Sequence, residues 1–162
     1  MASADITHEY RGLGVTDFEA RIRRSELEVA AIIDPVDGVI RARQGTEHDI
    51  EWDDSDCELI PGRIVSHNHP LGDSFSPEDV RLAWEFGAAQ LRAVTPDGAT
   101  YVLGAPARGW GDYSWDEIAR VAETWADSVF RDLDEDRLTT STPMDVIWKE
   151  VAARLDLSYS RQ

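Results

Sequence analysis

The sequence predicts an α+β domain, and three observations carry that prediction. Apolar runs broken by Gly- and Pro-bearing turns pair as strand–turn–strand units over residues 28–43 and 90–103. Helix-start signals stand at Thr16, Ser76 and Ser114, each followed three residues later by an acid. The last third is helical in pattern throughout. A chain of 162 residues is long enough for one core without covalent staples.

Taken in order, residues 1–14 read as a loose start, because Gly12 and Gly14 oppose a helix. Thr16-Asp17-Phe18-Glu19 has capping-box spacing and predicts a short helix to about Arg24. Glu28 to Asp34 is an apolar run expected of a buried strand. Pro35-Val36-Asp37-Gly38 supplies the turn, and Val39 to Arg43 returns as the partner. A further strand is expected over Asp49–Trp52, followed by the acidic loop Asp53–Asp56. Gly62 to Ser66 forms a short strand that delivers His67.

Ser76-Pro77-Glu78-Asp79 places a cap, a first-turn proline and acids at the start of a helix running to about Ala89. Gln90–Thr95 and Thr100–Leu103 form a second hairpin around Pro96-Asp97-Gly98. Ser114 caps a helix to about Arg131 whose apolar stripe is Ile118, Val121, Ala122, Trp125 and Val129. A charged connection, Asp132 to Arg137, precedes a last helix from Pro143 to about Leu155. The chain divides into a core over 1–113 and a helical extension over 114–162 packed on the same domain.

Composition narrows the function classes. Asp plus Glu number 32 against 16 Lys plus Arg, a net charge of −16, and Lys149 is the only lysine. Such a surface repels phosphate backbones and anionic membranes, so neither nucleic acid nor membrane is an expected partner. A high-salt cytoplasm accounts for both the acidity and the missing lysine; a GC-rich genome accounts only for arginine in place of lysine. No apolar stretch approaches the roughly 20 residues needed to span a bilayer. The amino terminus has neither the basic nor the apolar region of a secretory signal. The expectation is a cytoplasmic protein whose oligomeric state the sequence leaves open. Cys57 is alone, so it makes no internal disulfide, and any bound metal must be held by His and carboxylate.

The chemistry concentrates between Ser66 and Asp79. His67 and His69 are two apart and point the same way from an extended strand. Asp79 follows a Pro/Gly-rich turn that could fold back toward them. Two imidazoles and a carboxylate leave a fourth zinc position for water, as in hydrolytic sites. Ser76, three residues before Asp79, is the candidate donor to a developing oxyanion. The base must come from elsewhere: Glu28, leading into the first buried strand, is the best choice, and Glu26 is the reserve.

These residues resemble the JAB/MPN metalloproteases, also called JAMM proteins. The shared pattern is Glu28, then His67-Asn68-His69-Pro70, then Ser76-Pro77-Glu78-Asp79, with Glu28 to Ile33 similar to the family's first strand. His-Asn-His-Pro-x-Gly is the RadC-type version. The combination with Phe-Ser-x-x-Asp is closest to JAB-like domains associated with phage head proteins and bacterial toxins. The similarity covers residues 26 to 103. It implies a curved mixed sheet flanked by helices, zinc held by His67, His69 and Asp79, Glu28 as general acid/base, and Ser76 as oxyanion stabiliser. Nine residues separate His69 from Asp79 where the eukaryotic deubiquitinating members have ten. The phage-associated members share the shorter loop; without that precedent Asp73 would compete as a ligand.

The remaining features have structural readings. His8 and His48 are expected at the surface, Cys57 in a polar loop without a partner base, and Trp115, Trp125 and Trp148 in core packing. The acidic runs Asp53–Asp56 and Asp132–Asp136 are expected as solvated faces. The function expected is a zinc-dependent metallopeptidase or isopeptidase. Its substrate would be a protein or peptide, such as a ubiquitin-like conjugate or a phage-type protein, laid as an added strand beside the active-site sheet. The alternative is a non-catalytic phage-head or complex-assembly module that keeps the fold. A third reading is a metal-dependent hydrolase of another bond, such as one in a nucleotide or a modified amino acid; the negative charge disfavours anionic substrates unless Arg41, Arg43 or Arg63 makes a local basic pocket.

Overall fold

A computed structural model describes residues 2–106, 109–134 and 143–162. Its strands are β1 (Ala4–Asp5), β2 (Val29–Asp34), β3 (Gly38–Gln44), β4 (Ile64–Asn68), β5 (Gln90–Val94), β6 (Thr100–Gly104) and β7 (Ser158–Arg161). They form one mixed seven-stranded sheet in the order β1-β3-β2-β4-β5-β6-β7. Its helices are α1 (Thr7–Tyr10), α2 (Val15–Ile22), α3 (Asp54–Cys57), α4 (Pro77–Phe86), α5 (Trp115–Asp134) and α6 (Pro143–Leu155). Neighbouring strands are antiparallel except β4 and β5. That pair is parallel because α4 lies between them in the chain and carries it back to the same end of the sheet.

Alternation along the central strands divides the core in two. On one face Val29, Ala31 and Ile33 of β2 meet Phe18 and Ile22 of α2. On the other face Ile32, Val65, Leu91 and Leu103 meet Val80 and Ala83 of α4, Ile118 of α5 and Trp148 of α6. Strand β2 is therefore apolar on both sides, which is why its sequence is continuous rather than alternating. Helix α4 stops at Gly87, whose φ of 68° lies in the left-handed region that glycine enters without steric cost. No helix among the described residues is long and apolar enough to cross a membrane.

Several elements differ from the sequence reading. The opening residues are not loose: β1 pairs with β3, and α1 follows directly. Helix α2 begins at Val15 behind Gly14 and has no side-chain cap. The expected Thr16 capping box does not form because the Glu19 carboxylate is taken by Ser66 Oγ (2.8 Å) and Arg92 Nε (2.6 Å). Residues 49–52 are not a strand. Glu51 is tied to the amino-terminal segment through the amide and hydroxyl of Ser3.

The acidic run 53–56 opens α3, with Asp53 as its cap in a full capping box. Asp56 is no solvated residue: it is fully buried, accepts from Arg43 Nε and Nη2 at 3.0 Å each, and lies 3.3 Å from Arg41. The second acidic run and the connection to Arg137 lie outside the described residues beyond the backbone of 132–134, which closes α5. Past α6 the chain returns as β7, so residues 158–161 belong to the same sheet as the core. Trp148 is in the core as expected, while Trp115 and Trp125 are half-buried against it.

Candidate metal centre

Strand β4 pairs with β2 on one side and β5 on the other, which fixes its twist and the direction of its side chains. His67 lies inside it. His69 lies just beyond, still extended, with its amide on the Val94 carbonyl (2.9 Å). Both imidazoles therefore emerge on one face and Asn68 on the other. The rings meet edge to face with centroids 4.5 Å apart.

The turn after His69 brings α4 back over them. Ser76 caps that helix with its Oγ on the Asp79 amide (3.2 Å), and Asp79 Oδ2 accepts the Ser76 amide in return (2.9 Å). This capping box aims Asp79: the same Oδ2 lies 3.2 Å from His67 Nε2 and 3.2 Å from His69 Nε2, and the two nitrogens are 2.8 Å apart. Helix capping and ligand placement are thus one geometry.

A single ion at ~2.0–2.2 Å from all three atoms fits a triangle of this size. His69 Nδ1 lies 3.0 Å from the Asp73 carbonyl oxygen, which can only accept, so Nδ1 carries the proton and Nε2 presents its lone pair to the centre. Two ring nitrogens this close to one another and to a carboxylate form a trap for a proton or a cation. In the metal-free protein burial disfavours charge on His69. The Asp79 hydrogen bond and charge outweigh it, with help from the Asp73 carbonyl and Glu28, and hold His69 up to about 9. Burial likewise opposes ionisation of Asp79, but His67 and His69 hold its carboxyl well below the usual range. His67, His69 and Asp79 are a group that could bind a metal ion.

Glu28 sits one residue ahead of β2. Ala30 pairs with His67, and Glu28 shares that face two residues earlier. Its backbone is pinned by Thr46 O (2.7 Å) and the Gly45 amide (2.9 Å). The residue is only 8% exposed, and its carboxylate accepts no hydrogen bond among the described residues. Burial pushes its pKa up, against the pull of His67 and His69. Glu26, the reserve base, is exposed and lines no part of the site. Asp73 is no competing ligand: its carbonyl serves His69, while its carboxylate accepts its neighbour Ser74 N (2.7 Å) and faces the amides of Met144 and Asp145. Its φ of 104° is an uncommon conformation for a non-glycine residue, held here by those contacts.

The centre opens into a cleft of about 730 Å³ and a smaller hollow of about 270 Å³. Glu28, His48, His69 and Ser76 line both, so the two meet over the candidate ligands. Ser76 Oγ accepts from the Asp79 amide and keeps its own proton free to donate into this space. His48 is exposed as expected, yet it rims both hollows. Cys57 is half-buried on α3 rather than in a loop, lines the larger cleft, and burial pushes its thiol up, away from the reactive thiolate.

Among the described residues, the three arginines that could have made a basic pocket for an anionic substrate are paired elsewhere. Arg41 and Arg43 are held by Asp5, Asp53 and Asp56, Arg63 by Asp34, and none lines the cleft.

Two features of the site are given no role by the sequence reading. Asn68, fully buried, accepts the Val29 amide (2.7 Å) and donates to the carbonyls of Ser25 (3.2 Å) and Leu27 (3.0 Å), so it grips the backbone on both sides of Glu28. The loop bearing Asp73 is held from behind by α6 and β7. Trp148 Nε1 donates to the Phe75 carbonyl (2.7 Å), and Ser74 Oγ meets Tyr159 Oη (2.7 Å). No protein-family model, curated protein or solved structure matches this chain.

Proposed function

We propose that the chain is a zinc-dependent hydrolase of amide bonds, a peptidase or isopeptidase acting on a protein or peptide in the cytoplasm. The observation that carries this reading is the meeting of three ligand atoms within 3.2 Å of one another beside a buried carboxylate that has no hydrogen-bond donor among the described residues. Neutral imidazoles with a carboxylate are the ligand set of hydrolytic zinc sites, whereas closed structural sites favour thiolates. When bound, zinc supplies Lewis acidity, bringing the pKa of a coordinated water toward ~7.

The chain's own residues would do the rest. Glu28 takes a proton from the attacking water and returns it to the leaving nitrogen, a task helped by the burial that raises its pKa above the ordinary carboxyl value. The Ser76 hydroxyl donates to the carbonyl oxygen as it gains charge. Asp73 holds the His69 tautomer through its carbonyl. The resemblance to JAB/MPN proteins supports these roles, and ubiquitin-like conjugates or phage-type proteins are the substrates it suggests.

Strands β2 and β4 have both edges paired, so a substrate strand would not pair directly with either of them. An extended chain lying across the two joined hollows is the arrangement this site accommodates. The test is Glu28→Gln: it keeps about one zinc per chain and loses turnover of a peptide substrate by ~10²-fold or more. Unchanged turnover, or a wild-type protein that takes up no zinc, overturns the reading.

A further inference from the structure

The larger cleft has a composition of its own. Ile50, Trp52, Leu82, Phe86, Val65 and Leu91 form an apolar wall leading away from the candidate ligands. Its rim carries Asp49, Asp54 and Glu78, all exposed. No lysine or arginine lines it among the described residues. The indoles of Trp115 and Trp125 are each covered by a guanidinium of the chain, Arg81 at 5.9 Å and Arg154 at 5.5 Å. Trp52 has no such partner among the described residues. Glu28, more than nine-tenths buried, also lines the cleft, and its carboxylate accepts no hydrogen bond among the described residues.

An apolar passage, a half-buried indole with no guanidinium over it among the described residues, and an acidic rim match one kind of side chain: a long aliphatic stem with a cationic tip. The stem gains by leaving water along the wall, and the tip gains from the ring face and the carboxylates. A cleft of this volume takes a group of that size with part of its backbone. The rim acids alone would say little on a chain of net charge −16; what points to a ligand is that they line one cleft with a half-buried tryptophan and with the Glu28 carboxylate, which accepts no hydrogen bond among the described residues.

We infer that the larger cleft is a subsite for an arginine or lysine side chain of the substrate peptide, next to the bond placed over His67, His69 and Asp79. The inference rests on the peptidase reading for the direction of the bound chain, but the recognition itself needs only the cleft.

The probes are three capped pentapeptides identical except for a central arginine, norleucine or glutamate. Each is titrated by calorimetry into the chelator-treated wild type, which keeps Glu28 and, without its metal, leaves the peptides intact. The arginine peptide binds about tenfold tighter than norleucine, and glutamate binds weakest. A combined Asp49→Asn, Asp54→Asn, Glu78→Gln variant, whose changes are all on exposed residues, loses the arginine advantage and keeps norleucine affinity. Equal affinities for the three peptides, or an arginine advantage untouched in the triple variant, overturn the inference. Zinc uptake with equal affinities removes the subsite and leaves the peptidase reading. An arginine preference in a protein that takes up no zinc supports the subsite and removes the peptidase.

Discussion

The hydroxyl of Tyr159 on β7 lies 2.7 Å from Ser74 Oγ, in the loop that carries the His69 partner Asp73. Tyr159 spends its proton on Asp145 Oδ1 (2.7 Å), so Ser74 is the donor to Tyr159. Ser74 and Asp145 are both buried, and burial raises the tyrosine pKa so that it remains a neutral donor. The last strand of the sheet is thereby tied to the rear of the metal loop, 85 residues away in sequence.

Tyr159→Phe removes both bonds and leaves a buried hydroxyl and a buried carboxylate short of a partner. The expected cost is ~1–3 kcal/mol in urea unfolding. Because the loop sets the Asp73 carbonyl against His69 Nδ1, zinc affinity falls about 10-fold as well, as for other partners that orient ligands. A variant that loses stability but binds zinc as the wild type does would uncouple the loop from β7.

Asn68 does for Glu28 what Asp73 does for His69. Asn68→Ala gives up three hydrogen bonds to the Ser25–Val29 backbone and costs about 2–4 kcal/mol by denaturant titration. Zinc stoichiometry stays near one while kcat for peptide hydrolysis falls with KM little changed, since the ligands stay and the base is loosened. Loss of zinc with retained kcat would place Asn68 on the wrong branch of the site.

The metal-free protein has a defined pH window. His69 is raised from 6.5 to about 9, so its contribution to stability is whole below 6.5 and disappears as pH rises through about 9. Asp79 is lowered from 3.8, so its contribution is present above 3.8 and is lost as pH falls below it. Thermal unfolding of chelator-treated protein should therefore peak between about pH 4 and 6.5. Zinc, which needs the neutral imidazole, should bind tighter from pH 6.5 to 9. Metal-free stability that climbs steadily from pH 6.5 to 9 would contradict the shared proton.

The metal motif was legible because it is local. Strand parity orients His67 and His69 together, and helix capping fixes Asp79 against Ser76, both within fourteen residues. The two hairpins and α4 were legible for the same reason. Residues 49–52 misled because their alternation is real: Ile50 and Trp52 do face inward, but into the cleft rather than against a neighbouring strand. Thr16 misled because tertiary contacts claimed Glu19. The roles of Asn68, Tyr159 and Asp56 depend on partners 13 to 85 residues away, and no local pattern announces them.

Zinc titration with a competing chelator, run on the wild type and on His67→Ala, His69→Ala and Asp79→Ala, tests the shared ion most directly. The wild type should hold one zinc per chain, and each of the three variants should bind at least about a hundredfold more weakly. A wild type that binds none, or any one variant that binds as tightly as the wild type, would contradict a centre built on these three side chains.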